Sequence, residues 1–165
     1  PGDFVKRFAR LLELPYPGGP SIERAAKTGN PEACDFPRAM TQTDSLDFSF
    51  SGLKTAVLYR LREDDVSRED LAASFQEAAV DTLLIKTKQA IAQTEAKRLV
   101  VAGGVAANTL LRQRLEQEAG VPVSMPPLDL CVDNGAMIAA AGYSRLQHGF
   151  RGNNRTRPHP GLILQ

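Results

Sequence analysis

The sequence has few cysteines and histidines, and it has no long apolar run. Its 165 residues include two cysteines, two histidines and no tryptophan. Two cysteines are too few for the disulfide framework of a small secreted protein, so we interpret Cys34 and Cys131 as reduced thiols of an intracellular protein. No apolar run approaches the roughly 18 to 20 residues of a membrane span, and no signal peptide is visible. We therefore expect a cytoplasmic protein that does not contact a membrane.

The sequence also lacks a strong excess of charge of either sign. Lysine and arginine number 20 against 19 acidic residues, which gives a formal net charge of +1. This balance excludes a strongly basic nucleic-acid coat, although a local basic patch remains compatible with it. An apolar content of 42% in a chain of this length suits one core. We expect one domain or one lobe of a larger protein, and the start at Pro1 without methionine favours a fragment.

Apolar periodicity and capping signals predict an alternation of helices and strands. The predicted helices cover Phe4–Leu14, Ser21–Gly29 with Ser21 as its cap, Ser51–Arg62, Ser67–Thr94, Asn108–Glu118 and Asp133–His148. Strands are predicted before Ser51, from Arg98 and over Val121–Met125. The alternation indicates an α/β lobe, in which ligands bind at the carboxyl ends of the strands.

The segment Arg98-Leu-Val-Val-Ala-Gly-Gly-Val-Ala-Ala-Asn108 favours a ligand site for phosphate or ribose groups. Gly103 and Gly104 have no Cβ, so a ligand can approach the backbone closely. The N–H groups of a following helix carry partial positive charge, and Asn108 would add a donor and an acceptor. Strand-Gly-Gly-helix turns also serve packing alone, so both interpretations stay open for this segment.

Asp133 also has two interpretations, because it stands at the start of a predicted helix. It is followed by Asn134 and Gly135 and is expected either to cap that helix or to ligate a divalent metal. His148 and His159 are eleven residues apart and make no metal pair. A serine-lysine nucleophile set from Ser49, Ser51, Lys54 and Thr55 is not favoured, because no nucleophile elbow is present.

Five motifs together resemble one family. They are Tyr16-Pro-Gly-Gly-Pro20, Phe36-Pro-Arg38, Leu46-Asp-Phe-Ser-Phe-Ser-Gly-Leu-Lys-Thr55, Val101-Ala-Gly-Gly-Val-Ala-Ala-Asn108 and Cys131-Val-Asp-Asn-Gly-Ala-Met-Ile-Ala139. In order and spacing they resemble the tRNA N6-adenosine threonylcarbamoyltransferase family (TsaD), formerly described as O-sialoglycoprotein endopeptidase or glycoprotease. The resemblance implies the carboxy-terminal lobe of an actin-like ATPase fold, the fold of sugar kinases and Hsp70. Residues 1–150 would form that lobe, and residues 151–165, with Arg151, Arg155 and Arg157, a basic tail.

The resemblance further implies a reaction and a set of site residues. Members transfer a threonylcarbamoyl group from threonylcarbamoyl-adenylate to N6 of the adenosine next to the anticodon, in tRNAs that read codons beginning with A. By motif, Gly19 and Asn108 match positions that hold the nucleoside, Glu23 matches an acidic position used for the ribose, and Gly103 and Gly104 belong to the adenylate cradle. Asp133 matches a ligand of the active-site metal, iron or zinc. Partner proteins of the same pathway are also implied.

Two departures from the family pattern keep other functions open. The His-x-x-x-His pair that supplies the other metal ligands belongs to an amino-terminal lobe and does not occur here, so we expect the isolated chain to be inactive. Lys6 stands where the family has an aspartate that contacts substrate. Either that contact is lost, or Asp3 substitutes for it through a shifted helix, or the sequence diverges here. The alternatives are a non-catalytic interaction module of the tRNA-modifying assembly and the phosphate-binding lobe of a sugar kinase. The motif Phe48–Thr55 argues against the kinase.

Overall fold

The computed structural model describes residues 2–63 and 66–152, with the side chains of residues 2–4 left out. The chain divides into two compact units, residues 1–132 and residues 133–165. Six helices and two strands follow one another in the described residues: α1 (Gly2–Leu11), α2 (Gly18–Ala26), α3 (Ser51–Arg60), α4 (Arg68–Thr94), β1 (Leu99–Val100), α5 (Thr109–Glu118), β2 (Val123–Ser124) and α6 (Gly135–Gln147). Short 3₁₀ turns cover Gly104–Ala107 and Leu128–Leu130. In the described part of the chain, no helix has both the length and the apolar character needed to cross a membrane.

The long helix α4 organises the first unit, because it contributes to two apolar clusters. The first cluster joins the amino-terminal half of α4 to α1, α2 and α3, with Phe8 and Phe75 in ring contact at a centroid distance of 3.8 Å. The second joins the next turns of α4 to α5 and β1 through Val80, Leu84 and Leu115. Burying one leucine side chain contributes roughly 1.5–3 kcal/mol, so these clusters hold the helices that carry the site.

The parallel sheet is small and lies next to the glycine turn. Leu99 pairs with Val123 and Val100 with Ser124, and α5 forms the connection between the two strands. Parallel strands require such a crossover, which explains why a helix pattern separates the two strand patterns. The prediction of an α/β arrangement is confirmed by this strand-helix-strand unit.

The start of α4 confirms the capping signal at Ser67. Ser67 accepts a hydrogen bond from the backbone N–H of Asp70 at 3.0 Å, and α4 begins at the next residue after Ser67. Asn108 caps α5 in the same way. An N-cap side chain satisfies one of the free N–H groups of the first turn, which fixes where the helix begins.

The cap predicted for α2 and the strand predicted before Ser51 are wrong. Helix α2 begins at Gly18, and Ser21 lies inside it: its hydroxyl donates to the carbonyl of Pro15 at 2.6 Å instead of capping the helix. Residues 48–50 form no strand. The rings of Phe48 and Phe50 lie parallel, with their centroids 6.4 Å apart. A strand needs a neighbouring backbone to pair with, and apolar alternation alone does not supply one.

The loop between α2 and α3 is fixed to α4 by polar side chains. Lys86 is 1% exposed, and its ammonium group donates to the carbonyls of Thr43 and Ser45. Gln89 donates to the carbonyl of Thr41 at 3.1 Å. A buried ammonium group requires such oxygen partners, so this face of α4 holds the loop that leads into the Leu46–Thr55 motif. Both cysteines are free and buried, as expected for reduced thiols.

Candidate functional site

The glycine turn after β1 exposes its backbone. Gly103 has φ +90°, in the region where residues with a Cβ are strained, and a 3₁₀ turn over Gly104–Ala107 follows it. Apart from the glycine and its adjacent residues, no described atom outside the local turn lies within 4 Å of the point where a Cβ would sit on either Gly103 or Gly104. Ala106 is 1% exposed, so it anchors the turn in the protein interior. The turn therefore presents bare backbone to solvent, and the 3₁₀ turn separates it from the predicted helix α5.

Asn108 is the N-cap of α5, with both ends of its amide engaged. Its Oδ1 accepts from the backbone N–H of Leu111 at 2.9 Å, and its Nδ2 donates to Oε1 of Gln76 at 2.8 Å. These two contacts fix the orientation of the amide. An amide group has two donor hydrogens and two acceptor lone pairs, so one of each is not used by these contacts.

Glu23 connects α2 to the same helix terminus. Its carboxylate accepts from the backbone N–H of Thr109 at 3.1 Å and from the Thr109 hydroxyl. Gly19 precedes Glu23 by four residues on α2, so both lie on one face of that helix. The structure thus brings the α2 face with Gly19 and Glu23 to the start of α5, where Asn108 is the cap.

The two adjacent glycines of α2 have different surroundings. A Cβ on Gly18 would lie 2.9 Å from the Cβ of Ala9, so this glycine allows α1 and α2 to pack closely. A Cβ on Gly19 would meet only the Cγ1 of Val5, at 4.0 Å. Packing therefore requires glycine at position 18, whereas position 19 has room.

Asp133 begins the second unit and does not cap α6. Asn134 does so, since its Oδ1 accepts from the backbone N–H of Met137 at 2.9 Å. The interpretation of Asp133 as the cap is therefore wrong, and its carboxylate is exposed. Within residues 2–63 and 66–152, no three His, Cys, Asp or Glu side chains lie together as a metal site. A metal at Asp133 would need further ligands from outside these residues.

The other residues that the sequence suggested for a functional site are Lys6, the serines near residue 50 and the basic tail. Lys6 is exposed on α1, and its Cα would lie 3.2 Å from a Cβ on Gly18. The hydroxyls of Ser49 and Ser51 lie 2.9 Å apart and hydrogen-bond to each other. Arg155, Arg157 and His159 of the basic tail lie outside the described residues.

Three residues of this region were missed by the sequence analysis. Gln76 accepts from Asn108 and orients it, Thr109 donates to Glu23, and Arg112 donates from Nη1 to the carbonyl of Ala106 at 2.8 Å. One feature of the sequence could have indicated Arg112. It lies four residues after the Asn108 cap, about one helical turn, so its side chain is near the glycine turn. Nothing in the sequence near Gln76 indicates its partner, which is 32 residues away.

Ion pairs fix α5 against α4 at a distance from the cap. Arg114 contacts Glu77 at 2.8 Å and Asp81 at 3.2 Å on α4, and it also pairs with Glu118 on its own helix. The hydrogen bond to Glu118 raises the pKa of the Arg114 guanidinium above its ordinary value. Asp81 in turn binds Arg38 of the preceding loop at 2.9 Å. The network joins α4, α5 and the loop that contains Arg38, and none of its residues belongs to the glycine turn.

Comparison with known proteins gives one consistent result. A family model described as "TsaD: tRNA N6-adenosine threonylcarbamoyltransferase" matches residues 1–140. A protein of that name from Desulfitobacterium hafniense (strain Y51) is 57% identical over 152 residues, which cover 87% of this chain and 45% of that protein. A protein of the same name from Thermosipho africanus (strain TCF52B) is 45% identical over 169 residues, covering 99% of this chain and 51% of that protein. The chain spans about half the length of the curated relatives it matches.

Proposed function

Because this chain belongs to the TsaD family of tRNA N6-adenosine threonylcarbamoyltransferases, we propose that it supplies the nucleotide-binding lobe of such an enzyme. In this proposal residues 1–150 are the carboxy-terminal lobe of an actin-like ATPase fold, and residues 151–165 are a basic tail. The substrates are threonylcarbamoyl-adenylate and tRNA, the location is the cytoplasm, and partner proteins of the same pathway complete the assembly. The isolated lobe is inactive.

One observation carries the proposal: three elements converge on the start of α5. The open glycine turn leads into it, Asn108 caps it, and Glu23 of α2 reaches Thr109. Backbone N–H groups of an exposed glycine turn suit phosphate oxygens, and carboxylate and amide groups suit the hydroxyls of a ribose. We assign Gly103 and Gly104 to the phosphate side of the adenylate, and Gly19, Glu23 and Asn108 to its nucleoside.

The reaction requires the adenylate to be held in one orientation. The N6 amine of the adenosine attacks the carbonyl carbon of the threonylcarbamoyl group, an N–C bond forms, the C–O bond to the phosphate breaks, and AMP leaves as N6 loses a proton. Fixed geometry removes much of the entropic cost of bringing two reactants together. N–H donors aimed at the phosphate stabilise the negative charge on the leaving AMP.

Asp133 is the ligand that this chain would contribute to the active-site metal, iron or zinc. Its carboxylate is exposed and is not engaged in capping α6, and carboxylate oxygens are accepted ligands of such metals. The two further ligands are histidines expected from the amino-terminal lobe, which is outside this chain. When bound, the metal polarises the carbonyl oxygen of the transferred group.

Titration of the chain with AMP, followed through backbone amide resonances, tests the cradle. We expect saturable shifts at Gly103, Gly104 and Leu111. Gly103→Ala should weaken AMP binding by about tenfold or more, because a Cβ there strains the turn and blocks the backbone. Gly120 is the matched control: it also has positive φ, +75°, and open space around its Cβ position. Gly120→Ala should leave binding within about twofold of the wild type.

A second experiment tests the metal ligand in a protein that carries this chain together with a His-x-x-x-His lobe. Asp133→Ala should reduce both bound metal, measured by elemental analysis, and threonylcarbamoyl transfer to tRNA. Asp129→Ala is the control, because Asp129 is also an exposed aspartate and lies near Asp133 in sequence. Equal metal content and equal transfer in the Asp133→Ala protein would refute the assignment.

The interaction-module alternative is favoured by Lys6, which stands exposed at a position where the family has an acidic residue. A module that only binds partner proteins would show no AMP-dependent shifts. AMP binding that is strengthened by Lys6→Asp would support the enzyme and would identify position 6 as a substrate contact that this chain has lost.

A further inference from the structure

The two segments that follow the parallel strands are held by a single side chain. After β1 comes the glycine turn, and after β2 comes the segment from Pro126 to Cys131. Arg112, on α5 between the strands, donates from Nη1 to the carbonyl of Ala106 at 2.8 Å and from Nη2 to the carbonyl of Pro126 at 2.7 Å. Its Nη1 also lies 3.5 Å from the sulfur of the buried Cys131.

This arrangement requires the shape of a guanidinium group. Two different nitrogens of one planar group reach two carbonyls on separate segments, whereas lysine presents its donors from one point. Ligands of parallel α/β sheets bind at the carboxyl ends of the strands, where both segments begin. Ala106 is 1% exposed and belongs to the same 3₁₀ turn, so its position determines where Gly103 and Gly104 lie.

Arg112 differs in this respect from its neighbour Arg114. The hydrogen bonds of Arg114 go to the carboxylates of Glu77, Asp81 and Glu118, all of them on helices α4 and α5. Those of Arg112 go to backbone carbonyls and a thiol of the two segments, and no ion pair of Arg112 occurs among the described residues. Its positive charge is thus available to attract an anion at the glycine turn.

We propose that Arg112 is a positioning residue of the nucleotide site, which sets the glycine turn at the geometry that accepts the phosphate of the adenylate. The inference rests on the proposed function. It predicts that nucleotide affinity depends on the two-carbonyl contact of Arg112 and not on the general stability that an arginine of α5 provides.

Matched substitutions on α5 test this. Arg112→Lys keeps the charge and the aliphatic stem but cannot span both carbonyls, and Arg114→Lys makes the same exchange in the ion-pair network. For each protein we would measure the melting temperature, the amide shifts and the affinity for AMP. Arg112→Lys should weaken AMP binding by about tenfold and move the resonances of Gly103, Gly104 and Leu128–Leu130 together. Arg114→Lys should lower the melting temperature and keep AMP affinity within about twofold of the wild type.

The outcomes separate this inference from the proposed function. Wild-type protein that shows no saturable AMP shift would refute the nucleotide site itself. Wild-type binding with equal binding by folded Arg112→Lys would overturn only the positioning role. If Arg112→Lys and Arg114→Lys lose AMP affinity equally, the loss comes from reduced stability, and the positioning role is again overturned. Arg112→Gln, which removes the charge as well, should bind AMP no better than Arg112→Lys. Failure of both Arg112 variants to fold would assign Arg112 to folding and overturn the inference.

Discussion

At the scale of single residues, the missing Cβ allows close packing at Gly29 and leaves the backbone open at Gly104. A Cβ on Gly29 would lie 2.0 Å from the carbonyl oxygen of Glu69 in the first turn of α4, whereas a Cβ on Gly104 would have no described neighbour within 4 Å. We expect Gly29→Ala to lower the free energy of unfolding by about 1–3 kcal/mol or more, because backbone must move. Gly104→Ala should leave it within about 0.5 kcal/mol while weakening AMP binding. Urea unfolding and AMP titration of both proteins would check this, and a reversed order of stabilities would contradict it.

The cap role of Asn108 and its proposed ligand role can be separated by two substitutions. Asn108→Ala removes the cap of α5 and should cost about 1 kcal/mol of unfolding free energy. Asn108→Asp keeps an acceptor for the N–H of Leu111 but loses the amide donor that binds Gln76. We expect its stability to stay near that of the wild type and its AMP affinity to fall, measured by urea unfolding and amide-shift titration. Wild-type affinity in Asn108→Asp would show that the amide donor is not needed.

Residue identities could be predicted where a local rule applies, and partners could not. The cap rule predicted the start of α4 at Ser67, and the glycine pair predicted a backbone open to a ligand. For Asp133 the same rule pointed to the wrong residue, because Asn134 competes for the same cap. Gln76 and Arg112 were not found, since their contacts join elements that only tertiary structure brings together.

At the scale of elements, the start of α4 is a pH-sensitive junction. The Asp70 carboxylate accepts the backbone N–H of Asn30 at 2.6 Å, and this bond, followed by one from Ser67, holds the pKa of Asp70 below its ordinary value. A carboxyl with a lowered pKa in the folded state stabilises above its unfolded pKa of about 3.9, and loses that effect as pH falls through the folded pKa. We expect the stability difference between wild type and Asp70→Asn to be constant from pH 7 to about pH 5 and to shrink below about pH 4. Thermal melts at these pH values would test this, and a difference that grew on acidification would contradict it.

The start of α4 was predicted correctly, because its apolar period and the cap at Ser67 agree. Helices α4 and α5 begin at the residue after the predicted cap or within one residue of the predicted start. The start of α2 was wrong by three residues, because its first turn has no side-chain cap and Ser21 instead bonds backward to Pro15. The segment before α3 alternates without forming a strand, because no described backbone pairs with it.

At the scale of the whole molecule, the family could be predicted and is confirmed, because five ordered motifs specify more than any one of them does. The α/β class is also confirmed, by the pairing of β1 with β2 across α5. Composition and periodicity could not reveal that α4 divides the first unit into two apolar clusters. That division depends on which residues of a 27-residue helix face which neighbours.

The two clusters predict that the site can open without unfolding of the whole unit. Leu115 is 2% exposed in the cluster beside α5 and β1, and Leu53 is 1% exposed in the cluster of α1, α2 and α3. Replacing a buried leucine by alanine costs about 2–5 kcal/mol, because it leaves a cavity. We expect Leu115→Ala to speed amide exchange in α5, β1 and the glycine turn first, because local opening follows the contacts that were lost.

Leu53→Ala is the control for that experiment, since it removes the same side chain from the other cluster. Its effect on exchange should centre on α3 and the first turns of α4, with the glycine turn still protected. Leu115→Ala should also weaken AMP binding at temperatures where the protein remains folded, whereas Leu53→Ala should weaken it only on approach to the melting transition. Uniform acceleration of exchange in both proteins would instead mean that the two clusters unfold as one cooperative unit.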